Sequence, residues 1–323
     1  MTDRLLELFK QSDRDYISGE ELSGKLNISR TAVWKQIERL KQQGFQFEAI
    51  PRKGYRLLSA PEKFDLPSLL AGLRTERFGR QLHLRDEVDS TQIVAQQLTA
   101  AGAPEGAVVL AELQTAGRGR MGRRWHSPKG KGLWFSLILR PDWLPLSQTP
   151  QLTLLTAVSL CRAVRQVTGL DAGIKWPNDL LIDGRKVAGI LLEANVENGT
   201  LQHVVAGIGI SVNLTEDDYP PDIRAIATSL AIAAGRRIDR SLLFVELLAE
   251  WERLYALYRS EGFAPIKLLW EALTVSLGRE IVCRMPQETV EGFAEAIDEQ
   301  GALLVRLNDG SVRKMFSGDV EFR

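Results

Sequence analysis

The sequence holds little cysteine and little histidine. Two cysteines and three histidines occur in 323 residues. Cys161 and Cys283 lack CxxC spacing and a nearby histidine, so neither a zinc site nor a disulfide framework is supported. We expect both thiols and the scattered histidines to be structural. A resident zinc centre and a disulfide-bonded secreted scaffold are thus both disfavoured.

Long apolar runs are also absent. None approaches the roughly 20 residues that a membrane span needs, and residues 1–10 lack the basic-then-apolar order of a signal peptide. We therefore expect a cytoplasmic protein without a membrane partner. Apolar residues make up 44% and charged residues 25% of the chain, as in globular proteins, and the length suffices for two or three domains.

An excess of charge of one sign is lacking too, since 41 basic residues balance 41 acidic ones. A neutral chain is not expected to coat nucleic acid along its whole length. The distribution is uneven, however, because residues 25–56 hold eight Lys or Arg against two Glu. Positive charge is therefore concentrated in one N-terminal segment.

Capping and turn signals in this basic segment predict two helices and a hairpin. Ser18 and Glu21 have the spacing of a capping box, which starts a short helix. After a tight turn at Asn27, Ser29 can cap a second helix. Apolar residues alternate with polar ones on both sides of residues 51–54, as in a hairpin with a basic tip. The pattern predicts an N-terminal winged helix-turn-helix.

The rest of the chain predicts two further domains and an α+β fold overall. Up to about Tyr258, short β-like runs alternate with helical stretches, which indicates one mixed α/β domain. After Gly278, four or five short alternating runs predict a small, SH3-like β-barrel. We expect domain boundaries at 1–62, 63–271 and 272–323.

A loop rich in glycine and arginine, 114–125, directly follows a β-like run. Its glycines let the backbone approach a ligand closely, and its arginines supply forked donors suited to carboxylate or phosphate. The loop lacks the Gly-Lys-Ser/Thr end of a Walker motif and opens no helix, as a dinucleotide-binding motif would. It predicts closure over an anion, with a solvated basic loop as the alternative. The residues are Gly117, Gly119, Gly122, Arg118, Arg120 and Arg123.

Four further motifs accompany this loop in a fixed order. They are Asp89–Gln92 before it, and Lys175–Asp179, Gly184–Leu191 and Gly207–Asn213 after it. In these residues and this order, the chain from about Phe64 to its end resembles the biotin protein ligase family. The basic segment resembles the winged helix of the bifunctional subgroup, which also represses the biotin operon. Met121 and Ser211 depart from the family pattern, which usually has a basic residue and Asn there.

The resemblance implies ATP-dependent activation of biotin to biotinyl-5'-AMP, with Mg²⁺, and transfer to a lysine of the biotin carboxyl carrier protein of acetyl-CoA carboxylase. It also implies that a homodimer, formed when adenylate is bound, represses the biotin operon by binding operator DNA. Two alternatives remain open. One is a lipoate or octanoyl transferase-like enzyme, and the other is a non-catalytic, biotin-sensing transcription factor.

The chemistry of adenylation points to a small set of cations. Joining a carboxylate to the α-phosphate of ATP brings anions together, so positive charge must be in place beforehand. We expect Lys175, Arg118 and Arg120 to be catalytic. Asp179, with Asn178 beside it, is an oxygen ligand of the kind that Mg²⁺ takes, although this segment is also ordinary turn chemistry.

The resemblance extends these expectations to binding residues. Biotin would be bound by Ser90, Thr91, Gln92, Gln114, Arg118, Gly119, Arg120 and Lys175. ATP or the adenylate would be bound by Arg118, Arg120, Arg123, Lys175, Asn178, Lys186, Asn213 and Arg323, with Asp319 nearby. A loop between Thr215 and Leu230, which carries Tyr219, would cover the adenylate. Trp134 and the backbone at Gly117 would enclose the apolar tail of biotin.

Helix-turn-helix geometry selects the residues that would contact DNA. The start of the second helix normally meets base edges and phosphates, and the wing meets the backbone. The candidates are Ser29, Arg30, Thr31 and Lys35 on the helix, and Arg52 and Lys53 on the wing.

Overall fold

The chain divides into two compact units, Met1–Lys63 and Phe64–Arg323. The structure, a computed structural model, describes residues 2–10, 16–42, 45–51, 53–59, 63–285 and 288–323. Within these ranges no helix combines the length and the apolar character that a membrane crossing requires.

The first unit is a helix-turn-helix followed by a hairpin, as predicted. Its elements are α1 (Thr2–Lys10), α2 (Gly19–Leu26), α3 (Arg30–Gln42), β1 (Gln46–Ile50) and β2 (Gly54–Ser59). Ser18 Oγ accepts a hydrogen bond from the N–H of Glu21 at 3.1 Å, and Asn27 ends α2 in the left-handed conformation. Ser29 Oγ accepts from the N–H of Ala32 at 3.2 Å. The capping residues therefore fix the turn between the two helices.

The second unit is built on one large mixed sheet. Its elements before the C-terminal strands are α4 (Leu66–Gly72), β3 (Leu82–Arg85), α5 (Thr91–Ala100), β4 (Val108–Ala111), β5 (Gly132–Leu139), α6 (Pro150–Thr168), β6 (Gly173–Lys175), β7 (Asp179–Ile182), β8 (Arg185–Glu197), β9 (Thr200–Ser211), α7 (Leu230–Ala234), α8 (Arg240–Glu261) and α9 (Ala264–Leu273). The seven strands lie in the order β3-β4-β5-β9-β8-β7-β6. Neighbours are antiparallel except β3 and β4, which are parallel. The predicted mixed α/β domain is confirmed.

Helices cover both faces of this sheet, which explains why all eight residues of β5 are buried. Leu133, Phe135 and Leu137 join the large core that includes α6 and α8. Side chains alternate along a strand, so Ser136 and Ile138 face the opposite side, where α5 packs. The candidate site lies on this α5 face.

A buried ion pair holds the start of the unit to the end of β4. Arg240 donates to Glu112 Oε2 at 2.8 Å, and the N–H of Phe64 donates to Glu112 Oε1 at 2.6 Å. Both charged side chains are almost fully buried. Removing one partner would leave an uncompensated buried charge. The backbone just before Gln114 is thereby fixed.

The C-terminal strands form a second, antiparallel sheet. They are β10 (Arg279–Arg284), β11 (Thr289–Ile297), β12 (Leu303–Arg306), β13 (Val312–Met315) and β14 (Asp319–Phe322), in the order β13-β12-β11-β10-β14. Residues 316–318 join one edge strand to the other. That connection spans at most about 14 Å, whereas the edges of a flat sheet of this width lie about 19 Å apart. The sheet is therefore strongly curled.

The predicted small barrel is confirmed in its strands and curvature, with one difference. In the described part of the chain no ladder joins β13 to β14, so the barrel is open along this seam. Each edge strand has only four residues, which leaves few positions for a closing ladder.

Candidate functional site

A cavity of about 640 Å³ opens on the α5 face of the large sheet. Strands β8 and β9 form its floor, and the loop 114–126, the β6–β7 turn, the segment 219–227 and β14 surround it. All but two of the predicted ligand residues line this cavity. They are Ser90, Thr91, Gln92, Gln114, Arg118, Gly119, Arg120, Arg123, Lys175, Asn178, Asp179 and Lys186.

One end of the cavity carries a network of neutral polar side chains. Gln114 Oε1 accepts hydrogen bonds from the N–H of Thr91 at 2.9 Å and from its hydroxyl at 3.1 Å. The hydroxyls of Thr91 and Ser136 are 2.8 Å apart, and Ser136 donates to Gln92 Oε1 at 3.1 Å. Gln92 Nε2 donates in turn to the carbonyl of Val205 at 3.0 Å. Thr91, Gln92 and Ser136 are buried and Gln114 is partly buried, and the four hold one another in fixed orientations.

Two glycines on β9 make room for large side chains on the sheet. A Cβ at Gly207 would lie 2.5 Å from Gln92 Oε1, and a Cβ at Gly209 would lie 2.3 Å from Trp125 Nε1. Both distances are below van der Waals contact. The glycines of the Gly207–Asn213 motif therefore allow Gln92 and Trp125 to lie against the floor of the cavity.

The glycine- and arginine-rich loop folds back on itself beside this floor. The N–H of Gly119 donates to the carbonyl of Arg123 at 2.7 Å, and that of Trp125 to the carbonyl of Gly117 at 2.8 Å. A Cβ at Gly117 would lie 2.6 Å from the carbonyl oxygen of Trp125. The close approach requires glycine at position 117, which holds the base of the loop together.

Each of three loop arginines contacts a different element of the unit. Arg118 lies 3.2 Å from Glu193 on β8, and Arg120 donates to Asn178 Oδ1 at 2.8 Å. Arg123 pairs with Asp319 at the start of β14. Single contacts between exposed ions and their partners contribute little free energy. A carboxylate or phosphate ligand can therefore replace them.

The Lys175–Asp179 motif is a β-hairpin that carries charge into the cavity. Lys175 on β6 lies opposite Asp179 on β7 in the backbone ladder of the hairpin. Between them, the amide of Asn178 is used twice, since Nδ2 donates to the carbonyl of Ile190 at 2.9 Å while Oδ1 accepts from Arg120. The turn is thereby fixed to β8 on one side and to the loop on the other.

Lys175 is a partly desolvated cation. Burial lowers its pKa, and the nearby carboxylate of Asp179 opposes that shift. Its Nζ lies 5.7 Å from the ring centroid of Phe322, while Asp179 Oδ1 is contacted by Lys186 Nζ at 2.6 Å. The site thus combines a compact, poorly hydrated ammonium with a second lysine that a carboxylate holds.

An aromatic and apolar wall forms a further part of the cavity lining. Trp125 lies 5.4 Å from Lys186 Nζ, and Tyr219 lines the cavity with its pKa raised to about 12 by burial. His126 Nε2 is 2.7 Å from the carbonyl oxygen of Asp218, which links the two cavity-lining segments. Sequence reasoning did not assign Trp125 a role, although its position directly after the arginine loop was a usable signal.

Two predicted nucleotide ligands, Asn213 and Arg323, and both predicted wall residues, Trp134 and Gly117, lie outside the cavity lining. Asn213 exchanges two hydrogen bonds of 2.9 Å with the backbone of Ile238, so its side chain is already satisfied. Arg323 pairs with Glu291 on a neighbouring strand. Trp134 is fully buried and packs edge-on against Trp125. The structure therefore gives these residues supporting positions, not cavity-lining ones.

The predicted DNA contacts that the structure describes are all exposed in the first unit. Ser29, Arg30, Thr31 and Lys35 are exposed at the start of α3, and Lys53 is exposed at the tip of the hairpin. Arg30 is 2.6 Å from Glu20. Arg52 lies outside the described residues.

Fold and cavity define a class of protein: a helix-turn-helix unit joined to a unit that can bind a neutral polar group and an anion side by side. Three family models match the chain. They are an HTH domain at residues 2–56, the biotin/lipoate A/B protein ligase family at 85–211 and the biotin protein ligase C terminal domain at 276–323.

Relatives of similar length narrow this class. The chain is 46% identical to the bifunctional ligase/repressor BirA of Bacillus subtilis, over 98% of this chain and 97% of that protein. It is 30% identical to BirA of Escherichia coli, over 96% and 94%. A solved structure, biotin protein ligase from Aquifex aeolicus in complex with biotin and ATP, is 30% identical with a TM-score of 0.66, over 76% of this chain and 99% of that one. The chain belongs to the bifunctional ligase/repressors of the biotin protein ligase family.

Proposed function

We propose that this chain activates biotin with ATP and transfers it to a lysine of the biotin carboxyl carrier protein of acetyl-CoA carboxylase. One observation carries the proposal: a single cavity joins a neutral polar network to a cluster of cations. The relative from Aquifex aeolicus, which was solved with biotin and ATP together, supports this pair of substrates.

The neutral end suits the ureido ring of biotin. That ring offers one carbonyl and two N–H groups and carries no charge, so amides and hydroxyls match it better than ions do. Gln92, Thr91 and Gln114 supply such groups, and Ser90 Oγ caps α5 by accepting from the N–H of Gln92 at 3.3 Å. We assign biotin recognition to these side chains.

In the first step, a carboxylate oxygen of biotin attacks the α-phosphorus of ATP, and pyrophosphate leaves. Negative charge accumulates where the two anions meet. Lys175, Arg118 and Arg120 stabilise that charge because they are in place before it develops, and partial desolvation strengthens the effect of Lys175. Arg120 would exchange Asn178 for a ligand oxygen at this point.

In the second step, the amine of the acceptor lysine attacks the acyl carbon. The bond from that carbon to the phosphate oxygen breaks, and AMP leaves with the electron pair. The attacking nucleophile belongs to the acceptor protein, so the chain itself needs no catalytic serine or cysteine. Lys175 serves both steps, since the same phosphate carries negative charge in each.

The base of the nucleotide would lie against the aromatic wall. The ring of Trp125 and the apolar side chains of the segment 219–227 offer flat and apolar surfaces for a base. Arg123 and Lys186 line the same cavity, and Lys186 Nζ lies 5.4 Å from the centroid of the Trp125 ring. We assign them to the phosphates, together with Asn178 through its contact with Arg120.

Mg²⁺ fits this site through one carboxylate. Asp179 turns its Oδ1 towards Lys186, whereas the amide of Asn178 is occupied on both sides. Mg²⁺ on nucleotide phosphates often takes only one or two carboxylates and retains water. We propose Asp179 as the protein ligand. A bound Mg²⁺ would neutralise phosphate charge there.

We propose further that the first unit binds operator DNA and that the adenylate-bound chain does so as a homodimer. One helix-turn-helix with few phosphate contacts binds weakly at physiological salt, so two half-sites are expected. Beyond Ile190, whose backbone bonds to Asn178, no strand in the described part of the chain pairs with the side of β8 that faces away from β9. Such a free strand edge is a surface on which a second copy or the acceptor can add a strand.

Pyrophosphate release tests the ligase. The full-length chain is incubated with ATP and Mg²⁺ and with biotin, lipoate or octanoate. Release with biotin alone, followed by labelling of the carrier protein, supports the proposal. Pyrophosphate release with lipoate or octanoate instead would indicate the lipoate or octanoyl transferase-like enzyme. Biotin binding without any release would indicate a transcription factor that senses biotin in the cytoplasm but does not catalyse.

Removal of residues 1–62 tests the division of labour. Every proposed biotin and phosphate contact follows residue 88, so the fragment 63–323 should still release pyrophosphate. It should bind no operator. A folded fragment without ligase activity would contradict the assignment of the chemistry to Phe64–Arg323.

A further inference from the structure

Helix α3 exposes a tryptophan on its outer surface. Trp34 is 51% exposed, whereas the next apolar residues along the helix, Val33 and Ile37, are fully buried. Trp34 belongs neither to the buried cluster of the first unit nor to the partly buried residues that pack against it. Packing in the core of this unit therefore does not explain why a tryptophan stands at position 34.

The surroundings of Trp34 on the helix are polar and basic. Residues three and four positions away are its neighbours on a helix surface, which places Thr31 and Arg30 on one side and Glu38 on the other. Lys35 is exposed beside it. Thr31, Arg30 and Lys35 are three of the predicted DNA contacts, so the indole lies within the surface proposed to enter a major groove.

An exposed indole inside a basic surface indicates a partner with both negative charge and apolar groups. Arginine and lysine suffice for phosphates, and phosphate binding does not require a neighbouring aromatic carbon surface. The DNA major groove adds one apolar group to its pattern of donors and acceptors, the C5-methyl group of thymine. A bulky aromatic side chain on a helix in the groove can cover that methyl group.

We propose that Trp34 reads thymine in the operator, by packing its indole against a C5-methyl group in the major groove of each half-site. The inference rests on the proposed repressor function and deepens it. It makes Trp34 a specificity-determining residue, whereas Arg52 and Lys53 on the wing would contribute affinity for any sequence.

Uracil substitution tests this contact without altering the protein. Operator duplexes are selected from a random-sequence library by the full-length chain saturated with biotin and ATP. Each thymine of the enriched site is then replaced singly by uracil, which lacks the methyl group. At one thymine of each half-site, affinity should fall about fourfold, the factor expected for one buried methyl group.

Variants identify the side chain responsible. Trp34→Ala should lose the response to uracil at that position, and Trp34→Phe should keep most of it. Leu58→Ala is the matched control, because Leu58 is 53% exposed on β2 of the same unit; it should leave the response unchanged. Unaltered thermal unfolding of the first unit, followed by circular dichroism, would show that each variant is folded.

The outcomes separate this inference from the function on which it rests. A selection that enriches no sequence would overturn the repressor function and the thymine contact together. An enriched operator with no uracil-sensitive thymine would overturn the thymine contact alone. So would Trp34→Ala if it weakened binding to every sequence equally and kept the uracil response, since the indole would then contact the sugar-phosphate backbone.

Discussion

The two ends of the cavity are built in different ways. At the neutral end, Thr91, Gln92 and Ser136 are at most 3% exposed and hydrogen-bond within the protein. At the charged end, the side chains of Arg118 and Arg123 are 46% and 66% exposed, and each pairs with one carboxylate. The neutral end is buried and its side chains hydrogen-bond to one another. The charged end is exposed, and its arginines are held by single salt bridges that a ligand can replace.

This difference indicates how the work is divided between the ends. A buried network of side chains that hydrogen-bond to one another keeps its shape before the ligand arrives, so its remaining donors and acceptors can select one neutral ring. Exposed ion pairs contribute at most about 1 kcal/mol each, so a ligand can replace them at small cost. We therefore expect changes at the neutral end to alter which acid binds, and changes at the charged end to alter how long the adenylate is held.

The largest effect is expected at Lys175, which both chemical steps need. Lys175→Met removes the partly buried cation and should slow adenylation by about a thousandfold, the upper range for losing one preorganised group. Transfer from chemically made biotinyl-5'-AMP should slow as well. Pyrophosphate release and labelling of the carrier protein measure the two steps separately. Lys267→Met, at a surface pair with Glu299, is the control.

A second substitution acts on the neutral end alone. In Gly207→Ala, the new Cβ would lie 2.5 Å from Gln92 Oε1 and would displace that side chain. Loss of about two buried hydrogen bonds should weaken biotin binding by about thirtyfold, while ATP binding stays within about twofold. Calorimetric titration with each substrate measures both, with Gly72→Ala as the control, since its Cβ meets only Val245 at ordinary contact distance. Equal weakening for both substrates would contradict a division between the ends.

A third substitution acts on the charged end. Arg120→Gly removes the guanidinium that contacts Asn178 and should speed dissociation of the adenylate by about tenfold, the loss of one charged hydrogen bond. Escaped adenylate would then label lysines outside the carrier protein. Arg120→Lys should give an intermediate rate, because it keeps the charge and loses the fork. An unchanged dissociation rate would remove Arg120 from the set that retains the intermediate.

The sequence predicted the local part of this arrangement. Capping at Ser18 and Ser29 and the alternation along β10 to β13 depend on neighbouring residues, so a pattern reveals them. The short strands β6 and β7 were not predicted, because three or four residues are too few to show a hydrophobic period. Their hairpin, which pairs Lys175 with Asp179, is visible only when the sheet forms.

The partners of the loop arginines could not be predicted. Arg120 and Asn178 are 58 residues apart, and Arg123 and Asp319 are 196 apart. Composition and spacing identified the cations and the anion-binding chemistry. Which residue contacts which arginine, however, depends on the strand order of the large sheet and on the curled C-terminal sheet. Asn213 illustrates the converse, because its motif suggested a ligand whereas its amide bonds to Ile238.

The smallest effect is expected at Asp319, and its sign distinguishes two roles for that residue. If the carboxylate only holds Arg123 until a phosphate replaces it, Asp319→Asn removes a competitor, and ATP should bind about threefold more tightly, the scale of an exposed pair. The gain should fade at high salt, because screening weakens both contacts. If Asp319 orients Arg123 towards the phosphates, ATP should instead bind more weakly.

A matched substitution on the same strand distinguishes the effect of the Arg123–Asp319 pair from that of the overall negative charge around the phosphates. Glu321 also lines the cavity but pairs with Arg284, not with the loop. Glu321→Gln removes the same charge and leaves Arg123 and Asp319 together. Tighter ATP binding in both variants would reflect reduced negative charge around the phosphates. Tighter ATP binding in Asp319→Asn alone, measured by titration at low and high salt, would mean that Asp319 holds Arg123 only until a phosphate replaces it. Such an exchangeable contact is what the comparison of the two ends predicts for the charged end.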